Sequence, residues 1–310
     1  MLRRIAIAVF FVVVASLVVS QARSMDWAAV LAALRGLPVM PLVMATGLSV
    51  SSFALYSCFD LLGRHYTGHT LATPTVMLVT FISYVFNLNL GSLVGGVAFR
   101  FRLYSRLGLG RSVITRILAV SMLTNWMGYG LVGGLVFSVM PLAVPEGWAI
   151  TAGHLRLIGL VMLGVAAGFV ALCACSARRS LCIRGHRIEL PSAHMAVLQL
   201  AMGAGNWLVM SSIIFVLLQQ RVPFSTVVSV LLLAGIAGVV THIPAGLGVL
   251  EAVFVALLSR QLPPPTLLAA LVAYRVIYYL VPLAVAAVFY AVMEARVRAR
   301  DLTVNIAAGA

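Results

Sequence analysis

No lysine occurs in this 310-residue chain, and only seven residues carry a carboxylate side chain. Charged residues make up 9% of the sequence, where a soluble domain carries about 25%. Hydrophobic residues make up 63%, and the mean hydropathy is +1.11. This excludes a soluble globular fold and leaves a polytopic membrane protein. Cysteine is scarce too, confined to Cys58, Cys173, Cys175 and Cys182. The Cys-x-Cys at 173–175 lacks the second Cys/His pair that a zinc site needs, so no metal is expected. There is no Walker A sequence, no Gly-x-Ser-x-Gly elbow and no His-Glu-x-x-His. The hydrophilic joints are too short to hold a second domain. These absences argue against ATP-driven pumping by this chain alone, and no cofactor is expected.

What the chain does contain is arginine, which supplies all 21 basic residues and a net charge of +14. With no soluble basic domain to carry it, this charge is not a nucleic-acid surface. The arginines cluster beside apolar runs, as the positive-inside pattern requires. The expected partners are therefore the membrane and its phospholipids, with no nucleic acid. Arg3-Arg4, the apolar run Ile5–Val19 and then Ser20-Gln21-Ala22 resemble a signal peptide in outline. Because the rest of the chain is itself apolar, the run is read as an uncleaved first helix.

Two glycine-rich breaks interrupt long apolar stretches. The first is Asn87-Leu88-Asn89-Leu90-Gly91-Ser92-Leu93-Val94-Gly95-Gly96. The second is His242-Ile243-Pro244-Ala245-Gly246-Leu247-Gly248-Val249-Leu250-Glu251. Gly91 and Gly246 lie half a chain length apart. Lipid offers exposed backbone no hydrogen-bond partners, so such breaks persist only where protein buries them or a wet cavity meets them. Around them the expected helices are about Ile5–Ser20, an interfacial stretch Asp26–Leu37, then Pro38–Leu62, Val113–Met140, Ala152–Ser176, Ala193–Gln219 and Thr266–Met293. The broken segments are Pro74–Phe99 and Ser225–Ser259.

Arginine placement decides whether the broken segments cross. A crossing Pro74–Phe99 would put Arg100, Arg102, Arg106, Arg111 and Arg116 outside, against the orientation rule. A segment that enters and leaves on the cytoplasmic side keeps them inside. Applied along the chain, this leaves 15 arginines cytoplasmic and four external, with Arg156 and Arg275 inside helices. The fold class is therefore all-α, with about six spanning helices and two re-entrant hairpins in an inverted repeat. Eight spanning helices are the alternative. One integral membrane domain, 1–310, is expected, with halves of about 1–145 and 146–310 and both termini cytoplasmic.

Glu251 stands out as a carboxylate within a long apolar segment, where a charge costs about 2.5–3.5 kcal/mol at helix centre. It falls in the first turn or so after Gly248, where the helix dipole favours it. A plain helix-start carboxylate is the structural alternative. Arg275 lies about ten residues into the last helix, roughly 15 Å from its end, too deep for easy snorkelling. Glu251 is its expected partner, and Tyr274, Tyr278 and Tyr279 lie on or beside its face. Arg100 and Arg102 carry forks suited to phosphate oxygens, or else merely set topology. His242 is a weak candidate proton acceptor. Asn125 and Asn206 are read as helix-to-helix hydrogen bonders.

At these residues the chain resembles a known family. The run Asn87 to Gly96 with Arg100-Phe101-Arg102-Leu103-Tyr104-Ser105-Arg106 resembles the first signature of YbhN-like inner-membrane proteins, within the lysylphosphatidylglycerol synthase transmembrane-region family. His242 to Glu251 resembles its second signature, with Ala245 in place of one glycine. Ala273-Tyr274-Arg275-Val276-Ile277-Tyr278-Tyr279-Leu280-Val281-Pro282 resembles its C-terminal one. The resemblance implies a bacterial inner-membrane, flippase-like protein that handles phospholipid. The soluble aminoacyl-transfer domain of multidomain relatives is not seen here, so the chain is not expected to be an enzyme.

The expected function is therefore non-ATP-driven phospholipid translocation. The alternatives are an accessory protein that organises a phospholipid-metabolising enzyme, and an intramembrane lipid enzyme using Glu251 and His242. The expected lipid-binding and transport residues are Asn87, Asn89, Gly91, Gly95, Gly96, Arg100, Arg102, His242, Pro244, Gly246, Gly248, Glu251, Tyr274 and Arg275. If the two hairpins open to opposite sides, cysteines placed at Ser92 and Leu247 in a cysteine-free background label with thiol reagents from opposite sides of the membrane. Labelling of both from one side only would contradict the inverted repeat.

Overall fold

A computed structural model of the chain describes residues 27–140, 151–176, 180–183, 186–241, 243 and 246–308. The expected first helix, Ile5–Ser20, lies outside them. The described chain is helical almost throughout. In order it forms α1 (Trp27–Arg35), α2 (Val39–Ser57), α3 (Phe59–Thr67), α4 (Thr73–Leu90), a π-helical stretch (Ser92–Ala98), α5 (Phe99–Arg106), α6 (Arg111–Val139) and α7 (Ala152–Cys175). There follow α8 (Ala193–Leu217), α9 (Phe224–Thr241), α10 (Val249–Leu258), α11 (Pro264–Arg275), a second π-helical stretch (Val276–Leu280) and α12 (Val281–Ala308). One element departs from the all-helical expectation. Ser180–Ile183 (β1) and His186–Glu189 (β2) pair antiparallel, with Ser180 opposite Glu189.

Among the described residues, seven helical stretches are long and apolar enough to cross a bilayer, and Val249–Leu258 is a shorter apolar one. Two of the seven, α4 and α9, are 18 residues each and are the first arms of the broken segments. Apolar side chains such as Leu157, Val161, Val240 and Val288 stand exposed, as helices facing lipid require. Helix starts are set by local chemistry. Thr151 and His154 cap α7 reciprocally, Ser192 accepts from the Met195 N–H at the start of α8, and Pro74 occupies the first turn of α4.

The described chain forms two compact units. One comprises 53–121 and 275–310, and so contains the first break. Here α4 ends at Gly91, whose φ of +87° and ψ of 165° suit glycine alone. The chain then reverses and packs back along α4. Phe99 stacks on Phe86 with ring centroids 4.2 Å apart, and Gly96 lies against the Asn87 side chain. Tyr104 reaches Thr80 with its hydroxyl. In one continuous helix residues 80 and 104 would be about 36 Å apart. Pro74–Phe99 is therefore a helical hairpin. Val79, Ile82, Leu103, Tyr104, Ile114, Ile117 and Leu118 form the core beneath it.

The other unit comprises 1–52 and 122–274. Its break turns through Gly246 and Gly248, with φ of +55° and +78°, and α10 packs back on α9. Helices α6 and α8 cross with Gly128 against Gly203, backbone on backbone. Nearby, Ser52 donates to Asn206 Oδ1 at 2.8 Å, joining α2 to α8 as expected for a buried asparagine. Tyr129, Val132, Phe137, Ala204, Val228 and Leu232 form the core.

Gly95 has no room for a side chain, because a Cβ there would overlap the Phe86 carbonyl. Gly95→Ala should lower the thermal midpoint in detergent, with a loss of about 1–3 kcal/mol or more from overpacking. Gly47→Ala is the control, since a Cβ at that helical position meets nothing within 4 Å.

Candidate functional site

The first hairpin delivers its signature residues to two different surroundings. Asn87 accepts the Gly91 N–H at 3.0 Å through its carbonyl oxygen, closing the last turn of α4. The Asn89 side chain donates to the Val85 carbonyl at 2.9 Å. The Gly95 N–H donates to the Gly91 carbonyl at 2.9 Å, which starts the wide turns of the π-helical stretch. Both asparagines thus support the tip from within.

After the π-helical stretch, α5 carries Arg100 and Tyr104 on one face and Arg102 and Arg106 on another, each pair one helical turn apart. Arg100 is 3% exposed. Its fork meets Asp60 of α3 twice, Nε to Oδ2 at 3.0 Å and Nη2 to Oδ1 at 3.3 Å. Nη2 also reaches Ser121 Oγ at 3.4 Å, and Nη1 reaches the Gly96 carbonyl at 3.4 Å. Tyr104 donates to Asp60 Oδ2 at 2.9 Å. Asp60 itself has no exposed surface. Burial pulls the Arg100 guanidinium down, but the adjacent Asp60 carboxylate outweighs it and holds the group above the ordinary arginine value. Burial, then the Asp60 charge, pushes the Tyr104 phenol up, so that it stays a hydrogen-bond donor.

An aromatic stack leads away from this cluster. Tyr56 lies parallel to Tyr84 with centroids 3.4 Å apart, and stacks on Phe59 at 4.4 Å. The Tyr84 and Tyr278 hydroxyls are 3.1 Å apart. Tyr278 is fully buried, and the Arg275 guanidinium lies over the Tyr279 ring, 5.4 Å from its centroid. Tyr278 is therefore a packing and hydrogen-bonding group in this unit, and Tyr279 packs beneath Arg275.

Arg102 is turned the other way. It is 50% exposed, pairs with Glu294 of α12 at 3.2 Å and lies 5.9 Å from the Tyr290 ring centroid. Arg106 pairs with the second Glu294 oxygen. These contacts bring the hairpin exit and the far end of α12 together.

In the other unit, Gly248 is the N-cap of α10 in a left-handed conformation, and its carbonyl accepts the Ala252 N–H at 2.9 Å. Glu251 is half-buried in the first turn of α10, where sequence reading put it. Gly246 donates to the Ile243 carbonyl at 2.9 Å, and Tyr274 is buried at the end of α11. His242 and Pro244 lie outside the described residues. Among the described residues no group of three His, Cys, Asp or Glu is placed to hold a metal.

Asp60 is the residue that sequence reading missed. Its signal was present, since Asp60 sits among apolar residues near the end of the second apolar run. Its partner, 40 positions away, is invisible to helical spacing.

A cavity of about 560 Å³ opens on the surface of the second unit, among α6, α7 and α9. Trp126, Phe137, Ile158, Val161, Met162 and Leu233 are among its lining residues. Tyr129 also lines it, but its hydroxyl donates to the Leu232 carbonyl at 3.1 Å. The lining therefore suits hydrocarbon rather than a polar group.

Residues 4–286 match the family described as lysylphosphatidylglycerol synthase TM region. The chain is 44% identical to inner membrane protein YbhN of Escherichia coli (strain K12) over 290 residues, 93% of this chain and 91% of that protein. It is 29% identical to the uncharacterized protein slr0712 of Synechocystis over 89% of this chain and 86% of that protein. It is 24% identical to phosphatidylglycerol lysyltransferase of Staphylococcus haemolyticus, over 76% of this chain and 27% of that protein.

Breaking a buried ion pair on one side leaves an uncompensated charge, at about 3–5 kcal/mol, whereas removing both sides is milder. Asp60→Asn and Arg100→Gln should each lower thermal stability strongly, and the double variant should lose well less than the sum of the two single losses. A double-mutant cycle by thermal unfolding in detergent measures this, and simple additivity would argue against the clamp.

Proposed function

Since the chain belongs to the lysylphosphatidylglycerol synthase TM-region family, and is thus a multi-pass inner-membrane protein related to lipid modification or transport, we propose that it moves phospholipid across the bacterial inner membrane without ATP. The observation that carries this reading is the pair of helical breaks, each turning at glycines with positive φ inside an apolar bundle. Broken backbone at membrane depth is tolerated where it is covered by protein or lines a polar path. An amphiphile could move its head group along such a path while its acyl chains stay in the bilayer. A soluble sugar or amino acid would need a cavity lined by more polar side chains than these helices offer.

In this reading Asn87, Asn89, Gly91, Gly95 and Gly96 form the tip of one hairpin. Gly246 and Gly248 form the other, with His242 and Pro244 assigned to it from sequence. Arg102 meets head-group phosphate at the hairpin exit. Arg100 acts through Asp60, fixing the hairpin rather than touching lipid. Glu251 gates the movement or couples it to protons or another cation, and Tyr274 and Arg275 support the last helix. The apolar cavity beside α7 is sized for hydrocarbon and seats an acyl chain. Both termini are assigned to the cytoplasmic side.

The test is reconstitution. Protein-containing vesicles should accelerate transbilayer movement of a labelled phospholipid over protein-free vesicles. Glu251→Ala should slow it about tenfold, equivalent to ~1.4 kcal/mol of barrier, with an unchanged thermal midpoint. Equal movement with and without protein would overturn the transport role. An unaffected Glu251→Ala variant would overturn the role given to that residue.

A further inference from the structure

The three arginines and Tyr104 of α5 separate into a closed pair and an open one. Arg100 is almost fully buried and its fork is filled by Asp60. Arg102 and Arg106 are 50% and 35% exposed, yet both converge on one carboxylate, Glu294. Each arginine takes a different oxygen of that carboxylate, Arg102 Nη2 binding Oε1 and Arg106 Nη1 binding Oε2. A phosphodiester presents two unesterified oxygens in a comparable spread. Two guanidinium groups a helical turn apart, with donors to spare, are the usual protein answer to it. The ring of Tyr290 beside Arg102 holds that side chain in place without neutralising it.

We propose that Arg102 and Arg106 form a phosphate-binding fork which the protein's own Glu294 fills in this structure, and that the head-group phosphate of an anionic phospholipid displaces Glu294 from it. Burial explains why this pair can be displaced and the Asp60 pair cannot. Glu294 is 13% exposed and its two arginines are half and a third open to solvent, whereas Arg100 and Asp60 are 4% and 0% exposed, so a competing anion reaches the first set and not the second. Charge explains why the ligand is anionic rather than zwitterionic. In sequence this unit carries ten arginines against Asp60, Glu294 and Asp301. Arg111 and Arg116 stand exposed at the start of the next helix. A choline or ethanolamine head group would bring a second cation into that field, whereas phosphatidylglycerol would not. The binding site stands independently of transport. Only the statement that the bound lipid is cargo rests on the proposed function.

The full-length protein in detergent, analysed by native mass spectrometry, tests the site. Phosphatidylglycerol should bind in preference to phosphatidylcholine. Glu294→Gln should tighten phosphatidylglycerol binding about fivefold, because the arginines no longer have to release a competing carboxylate. The double variant Arg102→Gln/Arg106→Gln should lose the preference, and Arg102→Lys/Arg106→Lys should keep part of it, with thermal midpoints checked for each. Unchanged or weaker binding by Glu294→Gln, or a retained preference in the double Gln variant, would overturn the proposal. Inorganic phosphate competing as well as the lipid would overturn the lipid source and assign the fork to soluble phosphate. A preserved preference without any transbilayer movement in vesicles would overturn the transport reading and leave the fork standing.

Discussion

A carboxylate with no exposed surface must be answered by a cation, and Asp60 is answered by Arg100. That single requirement organises the unit around the first hairpin. To reach Asp60, the chain has to return after Gly91 and bring α5 back beside α3. Tyr104 and Ser121 then complete the polar shell from α5 and α6. A buried ion pair is weak evidence for stability, since a hydrophobic replacement of equal volume often serves as well. What it contributes here is direction. With Asp60 clamped, α5 has only one rotational setting, and that setting turns Arg102 and Arg106 outward to Glu294.

Much of this was legible in the sequence, for reasons of solvent rather than of propensity. Glycines interrupting apolar runs are conspicuous because lipid punishes open backbone, so both breaks could be read directly. The reversal at Gly91 was legible from arginine alone, because five guanidinium groups after the break cannot be carried to the wrong side. Helices α6, α7 and α8 appear within two residues of their expected bounds. The Asp60–Arg100 clamp was not legible. It joins residues on separate elements, and a carboxylate near a helix end reads as ordinary end polarity. The pairing of β1 with β2 was hidden in an arginine-rich joint, where a charge-based reading sees only topology.

The second unit uses another means to bring helices together. Without water to drive helices together, association in a bilayer depends on close packing and a few hydrogen bonds. Gly128 and Gly203 supply the packing by omitting side chains where α6 and α8 cross, and Ser52 with Asn206 supplies a hydrogen bond beside it. Glycine thus does two unlike things in this protein. At Gly91, Gly246 and Gly248 it permits a backbone conformation, while at Gly128 and Gly203 it permits proximity.

The π-helical stretch Ser92–Ala98 has a consequence for how this region tolerates change. An α-helix advances about 100° per residue, and wider turns fall behind that count. The stretch therefore sets the phase at which α5 begins, and the phase decides which arginines face Asp60 and which face Glu294. Removing one residue would rotate α5 by roughly a quarter turn and exchange an inward arginine for an outward position. Length, more than identity, is what this stretch encodes. Substitutions that respect the space around Gly95 and Gly96 leave the two faces in register, whereas a one-residue deletion misaligns every contact downstream while altering no functional side chain.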